Sequence, residues 1–379
     1  MRGDLDQTKT RILLVIDHFG SGGAQKQIVT LAAGLKQKGY SVEFFIYYPE
    51  FAFFKPIVDD LKIIVHNYNK KGKGFSIDLL LSLRRVLVKN KYDAVISFLD
   101  TPNLYSELAS IGLRSLRVIV AERNSYIKEN SKLKSLIRRV GHSFSDVVVA
   151  NSKSQTHWIK NKYPWLREKT YTIYNGYDPS SFIVKPLPKT TQKDLRLIGI
   201  GRVAYQKNLL NLIKALDLFY KKHGWCLKIS WVGSLNTSAE PTYKDKVFRL
   251  LDNLPQVKEK WSWLGERSDV PKLLSEHHAL ILPSFYEGLP NVVCEALFSG
   301  RPAIASDVCD NPILIEDGER GVLFDPFSYQ SITSAIERYV ERSHEDRLGM
   351  GSNARKYAEE NLTTDKMVHS YEKLASFHH

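Results

Sequence analysis

The sequence predicts an α/β protein built from two doubly wound parallel-sheet domains facing each other across a cleft. Three observations carry this expectation. Short apolar runs alternate with stretches of helical spacing through most of the chain, the pattern of parallel strands buried on both faces. At 379 residues the chain exceeds what one ordinary core holds. Glycine-bearing or charged turns follow several of the apolar runs, at the strand ends where open α/β sheets bind ligands.

Taken in order, Arg11–Ile16 reads as the first strand and runs into Asp17-His18-Phe19-Gly20-Ser21-Gly22-Gly23-Ala24. A helix follows with Ile28, Leu31, Ala32 and Leu35 on one face. Gly22 and Gly23 let the backbone approach a ligand closely, but G-x-G-x-x-G is absent, so this is not a dinucleotide fingerprint. The runs 41–46, 62–65, 94–97, 117–120 and 146–149 repeat the strand pattern. Asp100 follows the third of these and Glu122-Arg123 the fourth; lying at strand ends as Asp17 and His18 do, they should line the same cleft. Asn151-Ser152 after the next strand reads better as a helix cap. The first domain is expected over 1–183, a Pro- and Lys-rich linker over 184–194, and the second domain over 195–360.

The second domain opens with a strand delivering Gly201-Arg202, and a helix starting near Asn208 places Lys207 at the same rim. Further strands end at Gly233 and Gly265. The apolar run Ala279–Leu282 then leads into Pro283-Ser-Phe-Tyr-Glu-Gly-Leu-Pro, with Pro290 suited to a first helical position. Glu287 and Glu295 bracket this helix N-terminus, whose free N–H groups suit a phosphate. Two carboxylates beside a phosphate site make sense if they hold hydroxyl-rich groups on either side of it, as in a sugar nucleotide.

Composition narrows the setting. With 43% hydrophobic and 25% charged residues the chain should be globular. No apolar run approaches about 18 residues and the first ten are polar, so neither a span nor a secretory signal is expected and the cytoplasm is the expected compartment. Cys226, Cys294 and Cys309 show no paired or metal-ligand spacing, which fits a reducing environment and argues against structural zinc. Charge is uneven: 30 Lys+Arg against 16 Asp+Glu in residues 1–190, and 24 against 25 in 191–379. A basic half implies an anionic partner (a membrane surface, a lipid-linked phosphate or nucleic acid) or serves solubility alone. Residues 131–145 space Leu133, Leu136, Ile137, Val140 and Phe144 helically among Lys132, Lys134, Arg138, Arg139 and His142. This is either an interfacial helix or one that covers the sheet. Phe51-Ala-Phe-Phe54 with the later Lys70-Lys71-Gly72-Lys73 leaves the same choice, bilayer contact or an ordinary amphipathic element.

Glu287-x7-Glu295 within Pro-Ser-x-x-Glu-Gly-Leu-Pro, joined to Gly201-Arg202-x4-Lys207-Asn208, resembles the signature of the retaining glycosyltransferases of family 4, which have the GT-B fold. The resemblance implies that Arg202 and Lys207 neutralise the departing diphosphate, that Glu287 holds the donor sugar's hydroxyls, and that Glu295 holds the ribose. Gly22, Gly23, Gly201 and Gly233 would face the diphosphate, Glu266 and Arg267 would lie beside the base, and the backbone of Gly288, Leu289, Asn291 and Val292 would complete the cradle. It also implies a C-terminal helix, 361–379, crossing back onto the first domain. Where many family members carry a histidine, Glu122 or Arg123 stands here.

The implied reaction is front-face transfer of a hexose or N-acetylhexosamine from a nucleotide sugar, a UDP-sugar being expected, to a lipid-linked or anionic glycan. The implied setting is peripheral, at the inner leaflet of a membrane, with no nucleic acid. No metal or other cofactor is expected, since Asp4-Leu-Asp6 and Asp59-Asp60 lack the strand context of a metal site. Two alternatives stand beside this reading: an epimerase or phosphorylase of the same fold, and a basic nucleic-acid-binding protein without transferase activity.

Overall fold

The computed structural model describes residues 10–72, 74–123, 132–235 and 241–375. The chain forms two units, one comprising residues up to Gly176 together with those from Thr364 onward, the other Tyr177–Thr363.

The first unit is a sheet of seven parallel strands: β1 (Arg11–Val15), β2 (Ser41–Ile46), β3 (Ile64–Asn67), β4 (Ala94–Phe98), β5 (Arg117–Glu122), β6 (Val147–Ala150) and β7 (Thr170–Thr172). Their order is β3-β2-β1-β4-β5-β6-β7. Leu14 sits between Phe44 and Ile96 in register. Because successive side chains alternate between faces, Ile12, Leu14, Phe44 and Ile96 build one core and Leu13, Val15, Phe45 and Val95 another. Each fully buried Leu, Ile or Phe is worth about 1.5–3 kcal/mol, so the central strands β1 and β4 are held from both sides. The edge strand β7, Thr-Tyr-Thr, is three residues long and carries no apolar run, so no signal marked it in the sequence.

The helix Thr364–Ala375 lies in this unit, adding Met367, Val368, Tyr371 and Ala375 to the core beside Ile28 and Leu31. Its approach to the helix Gly23–Gln37 depends on Gly34, where a Cβ would come within 2.4 Å of Val368 Cγ2.

The second unit holds six parallel strands: β8 (Arg196–Ile200), β9 (Lys228–Val232), β10 (Trp261–Gly265), β11 (Ala279–Leu282), β12 (Ala303–Ser306) and β13 (Gly321–Phe324). Their order is β10-β9-β8-β11-β12-β13. Leu197, Ile229, Ile281, Ile304 and Val322 pack against Leu212, Leu216, Ile332 and Ile336 from the helices Leu209–His223 and Tyr329–Val340. The four-residue strands β12 and β13 are additions to the sequence reading.

The stretch 184–194, expected as a linker, belongs to the second unit. Leu187 is buried there, and Arg301 donates two hydrogen bonds to the Lys185 carbonyl at 3.0 and 2.9 Å. The boundary instead falls after Gly176. Gln27 bonds both the N–H and the carbonyl of Gly176 (2.9 and 3.1 Å) within the first unit, whereas the Tyr177 N–H bonds the Leu362 carbonyl at 3.0 Å within the second.

In each sheet one strand stands where the order reverses, β1 beside β4 and β8 beside β11. Open α/β sheets bind ligands at the carboxyl ends of such a pair. No helix among the described residues is long and apolar enough to cross a membrane.

Candidate active site

In the second unit the reversal point brings Arg202, Lys207 and Glu287 to one rim. The strand β8 is followed by Gly201, whose N–H bonds the Val232 carbonyl at 2.8 Å and whose carbonyl accepts the Trp231 indole N–H at 2.8 Å. A Cβ on Gly201 would meet Lys207 Cε at 2.6 Å, and one on Gly233 would lie 2.2 Å from the Gly201 carbonyl oxygen. Glycine at both positions therefore lets the β8 and β9 ends pack together and the lysine stem lie across them. Arg202 is exposed at this edge.

Lys207 Nζ lies 2.6 Å from Glu287 Oε1, with both side chains mostly buried. Gln206, which the sequence reading passed over, connects the two loops. Its carbonyl accepts the Phe285 N–H at 2.9 Å, and its amide donates to the Tyr286 carbonyl at 2.8 Å and to Glu287 Oε2 at 3.3 Å. Its place immediately before Lys207 was the one available signal. Tyr205 adds ring contact with Phe285, centroids 4.9 Å apart.

The helix after β11 spans Asn291–Phe298, with Pro290 at its cap rather than inside its first turn. The Asn291 N–H, expected in a phosphate cradle, is taken by the Leu289 carbonyl at 2.9 Å. The side chain of Asn291 accepts from Tyr177 Oη at 2.7 Å. Leu289 is buried, and the Gly288 carbonyl accepts the Cys309 thiol. Glu295 stands in the second turn, half-buried. At the end of β10, two strands from β8, Glu266 is exposed. Arg267, also exposed, pairs with Asp269 through two hydrogen bonds of 2.8 and 2.7 Å.

The first unit treats its charged candidates differently. Asp17, at the end of β1, accepts from its neighbour His18 N–H at 2.9 Å and from Gln25 Nε2 at 2.9 Å. His18 Nδ1 accepts the Gly20 N–H at 2.9 Å, so a neutral His18 carries its proton on Nε2. Gly22 caps the following helix, and a Cβ there would fall 2.1 Å from Gln25 Oε1; Gly23 is the first residue of that helix. At the end of β4, Leu99 holds φ of +80°, a backbone conformation costing about 1–3 kcal/mol of the kind that gathers at functional sites. Asp100 follows, paired with Arg138 Nη2 at 2.9 Å.

Glu122 does not face a substrate. Glu122 is 2% exposed. Its carboxylate takes Arg139 Nη1, His142 Nε2 at 2.7 Å and Gln155 Nε2 at 2.9 Å. The other imidazole nitrogen, Nδ1, lies 2.5 Å from Glu107 Oε1. Burial alone would raise the Glu122 pKa; the Arg139 charge and the bonds from His142 and Gln155 overcome it and hold the group at about 2. Burial would lower His142, but its two carboxylate partners lift it to about 9. Arg123 donates to Asn175 Oδ1 at 2.6 Å and to Tyr371 Oη at 2.8 Å and lies over the Phe98 ring. The sequence reading missed this network because its partners come from separate helices.

The expected basic flank of the helix Lys132–Gly141 changes accordingly: Arg139 is buried in the network, while Leu136, Val140 and Phe144 are exposed at four-residue spacing. Lys70, expected in an exposed basic cluster, is also buried, whereas Phe51 and Phe53 are exposed. Among the described residues no group of three or more His, Cys, Asp or Glu side chains is arranged to hold a metal ion.

Two parallel sheets, each with a glycine-bearing first turn, are covered by two family models that give the class of the protein. Residues 21–181 match the family described as Glycosyltransferase Family 4, and residues 185–357 the family described as Glycosyl transferases group 1. The chain belongs to the GT-B glycosyltransferases, a family 4-like domain followed by a group 1 domain. Among individual proteins, it is 28% identical over 329 residues to the GalNAc-alpha-(1->4)-GalNAc-alpha-(1->3)-diNAcBac-PP-undecaprenol alpha-1,4-N-acetyl-D-galactosaminyltransferase of Campylobacter jejuni, covering 83% of this chain and 84% of that one. It is 24% identical over 285 residues to the UDP-Gal:alpha-D-GlcNAc-diphosphoundecaprenol alpha-1,3-galactosyltransferase of Escherichia coli, covering 69% and 70%. The structure of Anabaena HepE in complex with UDP and glucose matches with a TM-score of 0.80 at 19% identity, over 97% of this chain and all of that one, a likeness of fold.

Proposed function

We propose that the protein is a retaining glycosyltransferase that moves a hexose or N-acetylhexosamine from a nucleotide diphosphate sugar, a UDP-sugar first, to a lipid-linked glycan. The observation that carries this reading is the Lys207–Glu287 pair beside exposed Arg202 at the reversal point of the second sheet. As the glycosidic bond to the β-phosphate breaks, charge gathers on the phosphate, and cations already in place stabilise it without reorganising. Arg202 and Lys207 take that role, and Glu287 receives the sugar's hydroxyls. Glu295 holds the ribose, Glu266 lies toward the base, and Gly288, Leu289 and Val292 supply backbone N–H groups.

The acceptor hydroxyl attacks the anomeric carbon from the leaving phosphate's side. Its oxygen forms the new bond, the bond to the β-phosphate oxygen breaks, and the phosphate takes the proton. Two cations at the diphosphate are the basis for proposing transfer without a metal. Gly22 and Gly23 are proposed for the diphosphate, and Asp17, His18 and Asp100 for the acceptor.

The names of the Campylobacter and Escherichia relatives describe diphosphoundecaprenol-linked glycans, which supports an acceptor of that class. The net positive charge of residues 1–190 and the exposed Leu136, Val140 and Phe144 support peripheral attachment at the cytoplasmic membrane face.

The test is transfer from a panel of nucleotide sugars to a polyprenyl-diphosphate glycan, followed by mass spectrometry and by the anomeric configuration of the product, with and without EDTA. A retained configuration at an EDTA-insensitive rate is expected. Inversion, or a rate abolished by EDTA, would refute the respective part.

A further inference from the structure

We propose that Gln206 is a positioning residue of the transfer site, holding the Glu287 carboxylate once the donor has drawn Lys207 away. The inference rests on the reading of Lys207 and Glu287 given above. The two Glu287 oxygens are held by different groups, Oε1 by the Lys207 ammonium at 2.6 Å and Oε2 by the Gln206 amide at 3.3 Å. These two contacts respond differently to a diphosphate. An ammonium is a mobile point charge and is attracted to the arriving phosphate oxygens, so its hold on Oε1 weakens as the site fills. A neutral amide is not drawn in this way.

The orientation of that amide is settled by its neighbours. The Tyr286 carbonyl and the Glu287 carboxylate both only accept, so the nitrogen of Gln206 must face them. With the first bond at 2.8 Å anchoring the amide to the backbone of the Glu287 turn, the second sets the plane of the carboxylate. Each carboxylate oxygen has a second acceptor direction, left for the sugar hydroxyls. The link between the loops does not depend on the side chain alone, because the Phe285 N–H to Gln206 carbonyl bond and the Tyr205–Phe285 ring contact remain when the side chain is replaced. A variant lacking the amide should therefore fold.

Gln206→Met keeps the length and removes the donor. Its turnover should fall about 10- to 100-fold, the effect of losing a hydrogen bond to a charged group, while donor KM stays within about threefold because Arg202 and Lys207 are intact. In a Glu287→Ala background the same change should cost less than about twofold, since the group it acts through is gone; a purely structural role would cost the same in both backgrounds. Glu287→Ala inactive with Gln206→Met at the wild-type rate overturns this proposal alone. Glu287→Ala at the wild-type rate overturns the site reading and this proposal with it. An equal loss from Gln206→Met in both backgrounds returns Gln206 to a structural role.

Discussion

The carboxyl rims of the two sheets use charge in opposite ways. In the first unit, Glu122, Arg139, His142 and Glu107 close on one another inside the fold, Arg123 is tied to Asn175 and Tyr371, and Asp100 to Arg138. In the second, Arg202 faces solvent, and the Lys207–Glu287 pair sits at the mouth of the reversal point. A buried ion network whose members satisfy each other holds helices in place, whereas a pair at a rim beside an exposed cation can exchange partners with an anionic ligand. The same residue types thus stand in a closed network in one sheet and beside an exposed arginine in the other; Glu287 is itself buried, so the partners at hand rather than burial separate the two arrangements.

The largest expected effect tests the architectural side. Glu122→Ala removes the carboxylate shared by buried Arg139 and His142, leaving His142 only Glu107 among its two carboxylates, and should cost about 3–5 kcal/mol, read as a fall in the urea midpoint. A change under about 1 kcal/mol would mean that water reaches the network. Next comes the chemical side: Arg202→Ala or Glu287→Ala should lower turnover by roughly two or more orders of magnitude while the fold survives, with the unfolding midpoint unchanged for exposed Arg202→Ala. Loss of stability without loss of turnover would reverse the assignment of the two rims.

Packing comes third. Gly34→Leu forces a side chain into the space of Val368 and should cost about 1–3 kcal/mol, seen in the same denaturation curves.

A further effect is pH-dependent. The folded state holds the His142 pKa at about 9, above its ordinary value of 6.5. Its contribution to stability is therefore complete below pH 6.5 and is lost as pH rises through about 9. Wild-type protein should lose more stability than His142→Gln between pH 6.5 and 9.5, and parallel pH profiles would show that the imidazole is not charged in the fold. Glu122 shifts the other way, to about 2, so its contribution is present above its ordinary value of 4.5 and fades only as pH falls through about 2.

Much of this was legible in one dimension. The alternation of buried runs with helical spacing marked ten of the thirteen strands, because a strand covered on both faces must be apolar at nearly every position. The turn at Glu287 and the Gly201-Arg202 loop were visible because each follows such a run and carries glycine or charge where a buried strand allows neither. Of the missing strands, β7 (Thr-Tyr-Thr) and β12 (Ala-Ile-Ala-Ser) hold at most one large apolar residue each, whereas β13 (Gly-Val-Leu-Phe) carries the same apolar run as the four-residue strands that were marked and was passed over. Likewise, Arg139 and Leu136 stand three residues apart on one helix, yet one is buried and the other exposed. Spacing identified an amphipathic helix there, but not the acidic partners that draw an arginine inside.

Local order along the chain, then, determined the two-sheet class, the strand-end placement of Arg202, Lys207 and Glu287, and the helical C-terminus. Only tertiary structure decided which charges are consumed. Glu122 meets residues 17, 20 and 33 positions away, and Gln206 meets Tyr286 and Glu287 across 80 and 81. A carboxylate's role depends on which donors reach it and how much water remains, and both are set by elements that the sequence places far apart.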